Sequence, residues 1–199
     1  MKQPLIIGLT GSIGMGKSTV AAMFADEDIA IFDADSAVHA MQAAGGELVH
    51  EIESAFPGTT GPNGVDRTAL GAAVLGDRDK LAKLEGIIHP AVARRRTQFV
   101  AAHADDAILL FDIPLLFEKG GHAAVDVTVV VSAPAPVQRE RVLARTGMTV
   151  ERFEHILALQ MNDADKRARA DHVIDTGVSL SETRTQVRNL VKSLRAALA

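Results

Sequence analysis

The sequence predicts an α/β fold, a doubly wound parallel sheet of about five strands with helices between them. Three observations predict it. Four runs, at 4–10, 29–32, 107–111 and 125–131, are nearly all apolar, as strands buried on both faces of a parallel sheet must be. Helical patterns alternate with these runs, the arrangement that βαβ units with right-handed crossovers produce. A glycine-rich turn at 11–16 joins the first run to the first helical pattern.

Taken in order, the strand at 4–10 leads into a helix over about 16–26 that buries Val20, Met23 and Phe24. The second strand, 29–32, precedes a helix whose body runs through Ala37 and Val38, with Asp35 as a candidate cap. Roughly seventy residues then separate it from the third strand, far more than one crossover helix requires. Within them, 57–64 is rich in Gly, Pro and Thr and reads as a loop. Helices are expected near 67–74, 79–88 and 90–102, with Pro90 in a first helical turn. This stretch reads as a helical insertion beside the carboxyl edge of the sheet. A helical segment carrying residues 138–145 follows the fourth strand, and 173–174 is a short fifth strand. The last helix starts near Ser181 as N-cap and buries Val187, Leu190, Val191 and Leu194 at helical spacing.

Composition narrows the function classes. Of 199 residues, 47% are hydrophobic and the formal net charge is −4, so there is no global basic field for a nucleic-acid backbone or an anionic membrane. With no Trp and no Tyr, a base-stacking platform is not expected. No apolar run approaches the roughly 20 residues of a membrane span, and residues 1–8 do not read as a signal peptide. Absence of cysteine fits a reducing compartment, and the expected location is cytoplasmic. The seven histidines show no metal-site spacing. Neither nucleic acid, membrane nor an obligate protein partner is expected.

The sharpest signal is Gly11-Ser12-Ile13-Gly14-Met15-Gly16-Lys17-Ser18, followed by Thr19. It fits G-x-x-x-x-G-K-[ST], a loop whose glycines let main-chain N–H groups turn inward around phosphates. The helix that follows aims its positive end at the same anion. Lys17 is a mobile point charge for the β- and γ-phosphates, and the Ser18 hydroxyl can ligate Mg²⁺. Gly14, Met15, Gly16, Lys17, Ser18 and Thr19 are therefore the candidate nucleotide contacts, and the loop is of the kind that P-loop kinases, among other nucleotide-binding folds, carry.

A P-loop alone does not name the reaction. The guanine-reading N-K-x-D of a GTPase switch is absent. Asp33-Ala34-Asp35 stands at the carboxyl end of the second strand, where doubly wound folds place their ligands. Two carboxylates at i, i+2 point to opposite sides of an extended chain, and Asp33 is the better candidate to deprotonate an acceptor hydroxyl. A capping or turn role remains the alternative for both. Phosphoryl transfer calls for cations that close over the spreading charge. Arg141 and Arg145, four apart on a helical segment, share a face and suit a mobile lid; a solvated basic face is the alternative. Asp112, ending the third strand, is either a second carboxylate for Mg²⁺ or a structural hydrogen-bond acceptor.

Together these residues resemble the dephospho-CoA kinase family over nearly the whole chain. The resemblance is carried by the loop at 9–19, by Asp33-Ala34-Asp35, and by Arg67 with Leu70. It continues through Leu84-Glu85, Ile88-His89-Pro90 and Asp112-Ile113-Pro114-Leu115-Leu116-Phe117-Glu118. Gln138, Arg141, Arg145, Gln160 and Ala170-Asp171, leading into Val173-Ile174-Asp175, complete it. Two positions depart: Ser12 stands where the family usually has Gly, and Thr176 where Asn is usual, in a loop expected near the adenine ring.

The resemblance implies ATP- and Mg²⁺-dependent phosphorylation of the ribose 3′-hydroxyl of dephospho-CoA, with the aspartate at 33 as general base. It further implies a nucleotide core of 1–57 and 104–199, a lid at about 135–170, and an insertion at 58–103 that helps hold the coenzyme. His89, Pro114, Leu115 and Leu116 would line the acceptor site. The alternatives are another small-molecule P-loop kinase, of the shikimate, gluconate or nucleoside monophosphate type, and a non-catalytic ATP-binding regulatory module.

Overall fold

The computed structural model describes residues 3–199; Met1 and Lys2, the first two residues of the expected core, lie outside the described residues. In chain order the elements are β1 (Leu5–Thr10), α1 (Lys17–Ala25), β2 (Ala30–Asp33), α2 (Ala34–Gln42), α3 (Val49–Ala55), β3 (Thr60–Gly61), β4 (Gly64–Val65), α4 (Arg67–Val74) and α5 (Arg78–Ala102). After them come β5 (Ile108–Asp112), a 3₁₀ turn (Gly121–Ala124), β6 (Val127–Ser132), α6 (Ala135–Leu143), α7 (Val150–Ala158), α8 (Asp163–Arg169), β7 (His172–Asp175) and α9 (Leu180–Leu198). The chain divides into two compact units, Met1–Phe32 with His103–Ala199, and Asp33–Ala102.

Five strands form one sheet in the order β2-β5-β1-β6-β7. The pairings of β1 with β5, β1 with β6, and β6 with β7 are all parallel. Strand order therefore reverses at β1, and the loop leaving its carboxyl end stands at the topological switch point, where such sheets bind ligands. Register sets the chemistry as well. Leu9 pairs with Asp112, which carries that carboxylate to the mouth of the loop after Thr10.

Alternate strand residues explain the core. Ile7 and Leu9, Ile108 and Leu110, and Val129 and Val131 share one buried cluster with Val20, Met23 and Phe24 of α1 and Val187, Leu190, Val191 and Leu194 of α9. A period of two on the strands thus meets the helical spacing expected for both helices. The last helix starts earlier than expected. Ser179, not Ser181, is its N-cap, and Glu182 three residues on closes a capping box.

The unit Asp33–Ala102 has its own core of Met41, Leu48, Ile52, Phe56, Leu70, Leu84 and Ala91. It differs from the sequence expectation in carrying the additional helix α3 and in two further places. The 57–64 loop carries a short antiparallel hairpin, Thr60–Gly61 against Gly64–Val65. The helices expected at 79–88 and 90–102 are one helix, α5, with Pro90 inside it. Proline there removes an N–H and crowds the carbonyl four residues back, a cost of about 3 kcal/mol. Leu84 before Pro90 and Ala91 after it are buried in the same cluster, and α2, α3 and α4 all pack along α5. That packing holds the helix continuous through the proline.

Candidate active site

The loop between β1 and α1 encloses its cavity with main chain. Gly14 and Gly16 adopt φ of 79° and 86°, conformations that favour glycine. At Gly14 space forbids a side chain as well: a Cβ would stand 2.4 Å from Val142 Cγ2. Gly16 N-caps α1 with no side-chain cap, which leaves the first N–H groups of that helix for an anion. Ser12 is not among the residues with positive φ, so a side chain there imposes no left-handed strain on the loop.

This loop lines a cavity of about 290 Å³ together with Lys17, Ser18, Thr19, Pro114, Arg145 and Gln160. Lys17 reaches across it and forms an ion pair with Asp112. Asp112 is buried, and the β1–β5 register explains its approach.

Two glutamines far away in sequence hold the same residue of the loop. Gln160 Oε1 accepts from the Ile13 N–H at 3.1 Å, and Gln138 Nε2 donates to the Ile13 carbonyl at 2.7 Å. An N–H can only donate and a carbonyl only accept, so each contact fixes which end of the glutamine amide faces the loop. The carbonyl and the following N–H of a trans peptide point in opposite directions. Anchoring the Ile13 carbonyl on Gln138 therefore also sets the direction of the Gly14 N–H.

A second cavity, about 300 Å³, adjoins the loop at Gly14, Gly16 and Thr19 and is lined by Arg141, Arg145, Thr176, Leu180 and Thr183. Arg141 donates to the Thr176 hydroxyl at 3.1 Å and to its carbonyl at 2.7 Å. The Thr176 hydroxyl in turn donates to the Met15 carbonyl at 2.7 Å. Met15 serves through its main chain, since its side chain is buried and its sulfur accepts from the Ala133 N–H at 3.1 Å. α6 ends at Leu143 with Ala144 as C-cap, so Arg141 and Arg145 do not share a helical face as the spacing predicts. Both nevertheless line this cavity, because the chain turns after α6 rather than continuing.

The remaining expected residues fall as follows. Pro114 accepts from the Thr10 hydroxyl at 3.0 Å through its carbonyl and lines the loop's cavity. Leu115 is half-buried. Leu116 is fully buried, where its Cδ2 would stand 3.1 Å from a Cβ placed on Gly8, so it supports β1 rather than presenting a surface. In the second unit, Asp33 is the N-cap of α2, accepting from the Ser36 N–H at 2.9 Å and the Ser36 hydroxyl at 2.8 Å. The cap expected of Asp35 is thus made by Asp33, because the strand ends at 33 and the helix begins at once. His89 is exposed in the middle of α5.

Gln138, Gln160 and Thr176 carry parts of this site that residue spacing does not reveal. Each acts on a main-chain group more than a hundred residues away, and no local pattern signals such a partner.

Comparison with known proteins follows the same lines. The family model for dephospho-CoA kinase matches residues 5–182. A dephospho-CoA kinase of Novosphingobium aromaticivorans is 60% identical over 195 residues, covering 98% of this chain and 97% of that protein. One from Mesorhizobium japonicum is 50% identical over 193 residues, covering 96% and 97%. Among solved structures, TT1252 from Thermus thermophilus superposes with a TM-score of 0.84 at 34% identity, covering 97% of this chain and 99% of that one.

Proposed function

The chain belongs to the dephospho-CoA kinase family, and from that premise we propose how its own residues transfer the γ-phosphoryl group of ATP to the ribose 3′-hydroxyl of dephospho-CoA. The observation that carries the proposal is the cavity formed by the 11–19 loop, with Lys17 inside it and Arg141 and Arg145 beside it.

The triphosphate lies along residues 14–19, its oxygens met by main-chain N–H groups and by Lys17. Lys17 exchanges Asp112 for the phosphates as the nucleotide enters, since an ammonium prefers the doubly charged anion that reaches it. The Ser18 hydroxyl and the Asp112 carboxylate are hard oxygen donors of the kind Mg²⁺ takes. When bound, Mg²⁺ neutralises charge on the β- and γ-phosphoryl oxygens. Arg141 and Arg145, on the segment 135–170, place guanidinium groups on the same oxygens as charge spreads over them. Arg141 is pre-aimed for this by Thr176.

Asp33 orients the acceptor hydroxyl and takes its proton late, because a loose transition state demands little of a base. Its carboxylate has about four lone-pair sites, so capping α2 leaves acceptor capacity for the alcohol. His89, Pro114 and Leu115 contribute to the acceptor site, and Leu116 keeps the 114–118 loop in shape from beneath. The segment 58–103 assists in holding the coenzyme.

An ADP-release assay with dephospho-CoA, run beside shikimate, gluconate and AMP, tests the reading. Turnover that depends on dephospho-CoA alone is the expected result. Equal turnover with another acceptor would reassign the substrate, and ATP binding without turnover for any of them would make the chain a regulatory module.

A further inference from the structure

Lys166 has no solvent exposure at all, yet carries an ammonium group. Its Nζ lies 2.9 Å from Glu118 Oε1, and the same oxygen accepts from the Met161 N–H at 2.8 Å. The other oxygen, Oε2, and Lys166 Nζ are buried with no hydrogen-bond partner among the described residues, so Lys166 meets Glu118 as an ion pair rather than through a directed hydrogen bond. Burial pushes the Glu118 carboxyl up, but the Lys166 ammonium and the Met161 N–H outweigh it and hold the group below its ordinary range. Glu118 is therefore a carboxylate at neutral pH. Buried ion pairs are weak devices for stability, and apolar replacements of similar volume are often neutral or better.

What this pair touches points elsewhere. Met161 follows Gln160, whose side chain holds the Ile13 N–H and lines the cavity of the phosphate loop. Met161 and Gln160 lie in the short connection between α7 and α8. The Glu118 contact is a main-chain anchor in that connection. Glu118 itself lies in the turn that follows β5, whose Pro114 lines the same cavity.

We propose that Glu118 is a positioning residue of the phosphate loop. Its carboxylate holds the Met161 N–H so that Gln160 meets Ile13, and Lys166 neutralises the charge this requires. The contact deepens the kinase reading given above and rests on it. Removing the acceptor frees the connection, Gln160 loses its register, and of its two glutamine contacts Ile13 keeps only that of Gln138 on its carbonyl. ATP binding then weakens while the fold persists.

Charge-balanced variants of the full-length chain separate this role from a structural one. Glu118→Gln with Lys166→Met removes both charges but keeps an oxygen for the Met161 N–H. Glu118→Leu with Lys166→Met removes the oxygen too. ATP dissociation constants are measured by calorimetry for both, for Gln160→Leu, and for the triple variant Glu118→Leu/Lys166→Met/Gln160→Leu, with melting curves to show that each is folded. The Gln/Met pair should stay within about twofold of wild type, and the Leu/Met pair should bind ATP about 3- to 10-fold more weakly, the worth of one hydrogen bond. The triple variant should match Gln160→Leu alone, because both changes break one linkage. Wild-type ATP affinity in the Leu/Met pair, or a triple variant weakened by the product of the two effects, would overturn the proposal. These constants need no acceptor, so a wild-type enzyme that binds ATP but ignores dephospho-CoA would count against the kinase reading and leave the role of Glu118 standing.

Discussion

Arg141 grips Thr176 with both ends of its guanidinium, one nitrogen on the hydroxyl at 3.1 Å and the other on the carbonyl at 2.7 Å. Because the hydroxyl directs its own proton to the Met15 carbonyl at 2.7 Å, the arginine is tied to the phosphate loop through one threonine. A side chain with many rotamers is thereby ordered before ligand arrives, which lowers the entropy lost on binding.

Thr176→Val removes the hydroxyl while keeping shape and carbonyl. Arg141 then retains one of its two contacts, and the KM for ATP should rise about 3- to 10-fold, with Thr176→Ser near wild type. Steady-state kinetics at saturating dephospho-CoA measure it. An unchanged KM in the valine variant would show that the bridge does not order Arg141.

Gly14→Ala addresses the loop's backbone. A left-handed conformation costs a non-glycine residue about 1–2 kcal/mol, and the contact with Val142 at 2.4 Å adds overpacking of about 1–3 kcal/mol. Urea unfolding should show a loss in that combined range, with ATP binding impaired. Wild-type stability and binding would mean the loop does not need glycine there.

Lys17→Ala removes the charge that Asp112 holds in place. Loss of such a positioned cation costs about 10²- to 10³-fold in rate, so kcat/KM for ATP should fall by that amount. Asp112→Asn should instead raise the Mg²⁺ concentration needed for half-maximal activity. Titration of both variants with Mg²⁺ checks the assignment, and an unchanged Mg²⁺ requirement for Asp112→Asn would leave Asp112 only its structural pairing.

Acid should weaken the join between β6 and β7. The Thr128 N–H, and then its hydroxyl, hold the Asp171 carboxyl below its ordinary value of 3.8. A group whose pKa falls on folding stabilises the protein above its unfolded pKa and loses that contribution as pH drops through the folded one. The Tm gap between wild type and Asp171→Asn should be constant from about pH 5 to 8 and shrink below about pH 4. A gap that persists at low pH would mean the variant acts through packing rather than charge.

The sheet, the phosphate loop and the faces of α1 and α9 were legible because they rest on local signals. Apolar runs, glycine spacing and helical periodicity all lie within about twenty residues of themselves. Most of what escaped depends on distant partners; the Ser179 cap does not, since Glu182 three residues on is a local signal. Pro90 reads as a break until the packing on both sides of it is known, and Ser181 reads as a cap until Glu182 is seen to favour Ser179. Arg141 and Arg145 read as one helical face, whereas a helix end at Leu143 places them in a shared cavity by another route. The contacts of Gln138 and Gln160 with Ile13 leave no trace in spacing at all.

The reaction proposed for this chain moves the terminal phosphoryl group of ATP onto the ribose alcohol of dephospho-CoA, with Asp33 as the base. A single-turnover experiment with γ-³²P-labelled ATP tests it most directly, comparing wild type with Asp33→Asn. The label should appear in coenzyme A, one per ADP formed, and the transfer rate in the variant should be lower by about 10²- to 10⁴-fold with ATP affinity retained. Label found in inorganic phosphate, or a variant that transfers at the wild-type rate, would contradict the account.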